Sequence, residues 1–152
     1  MVQRAERRAD AFGAVSQGIG LRHVPGAAEI GDFQRFDRPK RLSGFLGIVP
    51  SEHSSGERRR QGAITKAGPI HARRLLVEAA HHYRHPPAVG TGLARRQHGQ
   101  DPRVVQVAWR AQQRLHRRAR HLTLERRKPN NVTTVALARE LAAFIWEAAV
   151  ID

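Results

Sequence analysis

Three stretches from the middle of the chain onward repeat apolar residues with a helical period, and none can bury its stripe alone. In the first, Ala72, Leu75, Leu76, Ala79, Ala80 and Tyr83 fall on one face, with Arg73, Arg74 and His81 elsewhere. Gly68 and Pro69 suit its start, and "HPP" at 85–87 suits its end. The second begins near Pro102. Val104, Ala108, Ala111, Leu115, Ala119 and Leu122 form its stripe, Trp109 adjoins it, and Arg110, Arg114, Arg117, Arg118 and Arg120 occupy the other face. The third, about 132–149, is apolar on most sides, with Leu137, Leu141, Phe144, Ile145 and Ala148 at packing positions. Helices of this kind are stable only against one another, which predicts a small, mainly α domain.

The remaining segments are shorter. Residues 1–27 hold scattered Gly and Pro without a sustained period, so they are unassigned and expected to be poorly ordered. From Ala28 regular cues begin. Asp37 can cap a helix with Pro39 in its first turn, Leu42, Phe45 and Leu46 share a face, and Gly47 ends it before an extended "IVP". Residues 88–101 read as a long connection and "RRKPNN" at 126–131 as a polar turn.

Charge bounds the partners. The 152 residues carry 27 Lys and Arg against 13 Asp and Glu, a formal charge of +14, with Arg far in excess of Lys. Such a balance points to polyanions, nucleic acid first, while leaving DNA, RNA and an anionic membrane surface open on charge alone. Aromatic residues make up only 5%, too few to offer stacking platforms to single strands, and Trp109 and Trp146 lie on or beside apolar stripes. There is no cysteine, which removes thiolate metal sites and disulfides. No apolar run approaches a membrane span, and the basic amino end lacks the apolar stretch of a secretory signal, leaving cytoplasm as the default.

One segment holds concentrated chemistry: "SEHSSGERRRQGAITKAG", Ser51–Gly68. Serine hydroxyls are weak nucleophiles unless the charge created by their attack is stabilised. Ser54 and Ser55 are followed by Arg58, Arg59 and Arg60, then Lys66, with Arg73 and Arg74 in the next helix. Guanidinium groups aimed at phosphoryl oxygens would supply that stabilisation. On spacing alone, the favoured reading is a solvated basic Gly-rich loop that touches phosphates without reacting. His81 and His85, at i and i+4, could ligate a metal, but no third ligand is evident nearby. The acidic residues Glu29, Asp32, Asp37, Glu52, Glu57 and Glu78 are scattered and form no set for two-metal chemistry.

The run "AEIGDFQRFDRPKRLSGFLGIVPSEHSSGERRRQGAITKAGPIHARRLLVEAA" resembles the carboxy-terminal domain of the IS110 family of insertion-sequence transposases, including the IS1111 group. The likeness rests on "EIGD..RF", "LG.VPSE.SSG", "ITKAG" and "HARRLLVEAA" in order, and extends more loosely to cover 28–149. The resemblance implies DNA transposition, with Ser55 as the serine that attacks DNA. It implies that Arg58, Arg59, Arg60, Lys66, Arg73 and Arg74 lie near phosphates of DNA or of a structured guide RNA. It likens "EIGDFQRF…GFLG" to a helix-hairpin-helix element. In the family, a RuvC-like domain with four acidic ligands holds a divalent metal, Mg by expectation. No matching acidic pattern precedes Ala28, so a truncated transposase is expected, with no cofactor of its own and uncertain activity alone. Homo-oligomerisation stays open. The reading from another class is a non-catalytic basic nucleic-acid-binding module.

Overall fold

The computed structural model describes residues 29–55 and 58–151, with side chains outside that description for 53–61. The expectation of poor order over 1–27 lies outside the described residues. Among the described residues the chain forms a 3-10 turn, Phe33–Arg35, followed by α1 (Pro39–Phe45), β1 (Pro50–Ser55), β2 (Arg58–Ile64), α2 (Ile70–His82), α3 (Thr91–Gln97), α4 (Pro102–Arg120) and α5 (Asn130–Val150). The architecture is mainly helical, as the three stripes require.

Helix α5 is the centre. It packs against α1, α2, α4 and the 3-10 turn. Its sequence explains why: Leu137, Ala138, Leu141, Ala142, Ala148 and Ala149 are all buried, and small residues let neighbouring helices approach from several sides. Helix α4 is one-sided instead. Val104, Val107, Ala108, Ala111, Leu115 and Ala119 are buried while its arginines stay outside. Its last turn widens into a π-helical piece, His121–Glu125, which still buries Leu122. Trp146 extends the α5 contacts by donating its indole N–H to the carbonyl oxygen of Phe36, 3.1 Å away.

Local chemistry sets the ends of α1. Pro39 occupies the first turn, but the cap position falls to Arg38 and no side chain caps the helix. Asp37 therefore does not cap, and its carboxylate instead meets Arg38 at 3.0 Å and Arg41 at 3.8 Å. At the other end, Ile48 N–H donates to Ser43 O and Gly47 N–H to Gly44 O. With Gly47 at φ +67° this is a Schellman stop, and it buries Ile48 completely. In the region likened to a helix-hairpin-helix, the described residues begin with helical residues 29–30, pass through the 3-10 turn, and reach the short helix α1 through residues 36–38.

Two other segments differ from the sequence expectation. The basic Gly-rich stretch is paired into an antiparallel ribbon. Its residues are polar on both sides of the strand alternation, so no apolar period announces it. The stretch 88–101 contains α3, anchored by the single buried side chain Leu93.

Candidate nucleic-acid interface

The hairpin's geometry begins at its base. Thr65 N–H donates to Val49 O and Lys66 N–H to Gly47 O, both at 3.0 Å, which continues the ladder past the strands. Pro50 pairs with Ile64 and Glu52 with Gln61, so β2 carries one residue more than β1 between these pairs. Such a bulge adds local twist. Beside it, Ser51 Oγ donates to Ala63 O at 2.9 Å, so this hydroxyl serves the hairpin itself.

Beyond the bulge the register is regular: His53 opposite Arg60, Ser54 opposite Arg59, Ser55 opposite Arg58. Directly opposed residues share a face and neighbours along a strand alternate. The register therefore groups Ser54 with Arg59 on one face, and Ser55 with Arg58 on the other. The serine–arginine proximity seen along the sequence becomes two separate cross-strand pairs.

The other expected phosphate ligands stand differently. Lys66 is exposed at the foot of β2 in the left-handed region, φ +55°. Arg73 turns inward: its guanidinium donates to Leu46 O and Ala67 O, each at 3.1 Å, tying α2 to the end of α1 and to the turn after β2. Arg74 is exposed and pairs with Glu78 one turn on, at 3.1 Å. Glu29 accepts from the Ala72 backbone N–H at 3.0 Å, giving α2 a remote amino-terminal cap. The stretches "AEIGD" and "HARRLL" are joined through that bond.

Among the described residues no three His, Asp or Glu side chains converge on a point. The residues described thus do not fit the divalent-metal site that the resemblance associates with catalysis. No helix among them is long and apolar enough to cross a membrane. Sequence reasoning did not single out Arg38, Lys40, Arg41 and Arg139 as ligands, yet they share one groove. Their separation along the chain leaves no local signal.

Fold and hairpin define a small, arginine-rich helical domain with a serine- and arginine-bearing ribbon. Comparison with known proteins finds transposases: residues 16–90 match the family described as Transposase IS116/IS110/IS902 family. Over 120 residues, 79% of the chain, it is 46% identical to "Putative transposase y4qE" of Sinorhizobium fredii. It is 31% identical over 121 residues to "Probable family 20 transposase" of Pseudomonas aeruginosa, and 42% identical over 53 residues to "Transposase for insertion sequence element IS1111A" of Coxiella burnetii. The chain spans 30%, 29% and 15% of the lengths of these relatives. No solved structure matches it.

Proposed function

We propose that residues 28–149 are the serine-bearing, DNA-handling domain of an IS110-type transposase, with DNA as the substrate and Ser55 as the nucleophile. In the proposed step Ser55 Oγ attacks a backbone phosphorus. An O–P bond forms, the bond from phosphorus to the departing strand end breaks, and the serine proton passes through solvent to the departing oxygen. Arg58 and Arg60, which the register puts on the same face as Ser55, would stabilise the added negative charge, while Arg59 on the alternate face and Lys66 at the foot of the ribbon would hold flanking phosphates. Arg73 contributes by holding the turn that carries Lys66. A structured RNA is the second polyanion this basic surface would accept.

The observation that supports this reading is the register of Ser55 with Arg58, in a segment that matches transposases. The proposed step uses the serine and cations of the ribbon; among the described residues no set of ligands for a metal is present. By this proposal the metal-held acidic centre is supplied by another domain, and this chain alone should bind DNA without cutting it.

The test supplies an acidic transposase domain from a close relative in trans, with its RNA and Mg, and looks for a covalent protein–DNA adduct. The adduct should disappear with Ser55→Ala and persist with Ser51→Ala. Binding that never yields an adduct under any complementation would favour a non-catalytic nucleic-acid-binding module.

A further inference from the structure

A groove of about 930 Å³ lies between α1, the start of β1 and the paired helices α4 and α5. Arg38, Lys40 and Arg41 line one wall, and Arg118 of α4 and Arg139 of α5 line the other. Two carboxylates share it, Glu52 and Glu140.

The cations are not equally occupied. Arg38 and Arg41 both engage Asp37. Lys40, Arg118 and Arg139 make no ion pair or hydrogen bond among the described residues. Glu140 is already engaged by Arg114 at 3.0 Å. The charge left over in the groove is therefore positive.

The α4–α5 seam shows how this arises. Arg110 pairs with Glu147 and Arg114 with Glu140, a ladder that advances one turn at a time along α4. The next turn presents Arg118. There the α5 side of the groove offers Ala136 instead of an acid. Two arginines are neutralised within the fold and the third is left facing a concavity it shares with Arg139 and Lys40. Concave low-dielectric walls concentrate the potential of such groups, and guanidinium forks match phosphate oxygens.

We infer that this groove is a second track for the phosphodiester backbone of duplex DNA, alongside the base of the hairpin and built from different cations than Arg58–Arg60. The inference rests on the DNA reading above. No aromatic ring lines the groove, so unpaired bases would find nothing to stack on. No Asn or Gln lines it either, which fits contacts to backbone more than recognition of adenine edges.

The experiment titrates the full chain with a short duplex of arbitrary sequence across a salt series. The triple variant Lys40→Gln/Arg118→Gln/Arg139→Gln should lower the log–log salt slope by about 2.7, at roughly 0.9 for each phosphate no longer neutralised. Its melting temperature should stay that of the parent, since these side chains have no partners among the described residues. Ala136→Glu, which adds the missing rung of the ladder, should weaken binding several-fold on its own. Arg95→Gln/Arg96→Gln, on exposed α3, is the control for net charge and should leave the slope nearly unchanged. An equal drop per charge in the control and the triple variant would overturn the groove assignment. So would a greater loss of binding to structured RNA than to duplex. If the triple variant loses its slope while no Ser55-dependent adduct can be obtained, the groove stands and the catalytic reading fails. If the triple variant keeps the parental slope while a Ser55-dependent adduct forms, the catalytic reading stands and the groove fails.

Discussion

Gly47 and Gly68 each lie against the backbone of the other's segment at the foot of the hairpin. A Cβ on Gly47 would stand 2.0 Å from Ala67 O, and one on Gly68 would stand 1.8 Å from Phe45 O. Both residues have positive φ, +67° and +86°. Neither the conformation nor the space admits a side chain, and the obstructing atoms are backbone, which cannot swing aside. Gly68→Ala should therefore cost at least about 3 kcal/mol, conformational strain and overlap acting together. Gly44 is the control: it lies inside α1 with nothing within 4 Å of its added Cβ. Gly44→Ala should raise stability by about 0.5–1 kcal/mol. Denaturant titration of the two variants measures both, and equal effects would mean that the close approach is not formed in solution.

Arg73 and Arg74 are neighbours with opposite fates. Arg73 donates to two backbone carbonyl oxygens, while Arg74 makes an exposed pair with Glu78. Arg73→Met should lower stability by about 2 kcal/mol, because it strips charge-assisted bonds from the partly buried Leu46 O and the exposed Ala67 O. Arg74→Met should change stability by less than about 0.5 kcal/mol, as exposed pairs do. Thermal melts distinguish the two. A stable Arg73→Met variant would return Arg73 to the pool of free phosphate ligands.

Gln112 is almost fully buried on α4, and neither of its amide atoms has a hydrogen-bond partner among the described residues. A polar group in that position costs its desolvation without recovering a bond. Gln112→Met keeps the volume and removes the polar atoms, so it should stabilise the fold by about 1–3 kcal/mol. A destabilised Gln112→Met variant would show that the amide has a partner in solution.

The sequence made the long helices legible because burial imposes a period on them: Leu76, Leu115 and Leu141 sit where the spacing of three and four residues puts them. Helix α3 was hidden because one buried residue, Leu93, makes no period. The hairpin was hidden for a related reason. A ribbon whose alternating positions are Ser, Glu, His and Arg shows no contrast between its faces. Arg73 looked like its neighbour because its role depends on carbonyl groups supplied by Leu46 and Ala67, which chain spacing does not reveal. The groove was least legible: Lys40, Arg118 and Arg139 meet only after three elements have packed. Asp37 failed as a cap for a local reason: the helix begins at Pro39, which puts Arg38 at the cap and Asp37 one residue before it, where its carboxylate meets Arg38 and Arg41 instead.

The register divides the serine–arginine cluster in a way that kinetics can read. Ser55 is opposite Arg58, while Ser54 and Arg59 are paired on the alternate face. If Ser55 is the attacking hydroxyl, the cation across the ribbon from it should carry the larger share of transition-state charge. In the complemented reaction, Arg58→Ala should slow adduct formation by about 100-fold or more, the usual effect of removing one fixed donor from a developing oxyanion. Arg59→Ala should act mainly on binding, reducing the salt slope by about 0.9 with a much smaller change in the rate at saturating DNA. Single-turnover adduct formation measured at saturation separates these effects. The reverse order, with Arg59→Ala slowing the step and Ser54→Ala abolishing the adduct, would move the chemistry to the other face of the ribbon and make Ser54 the nucleophile.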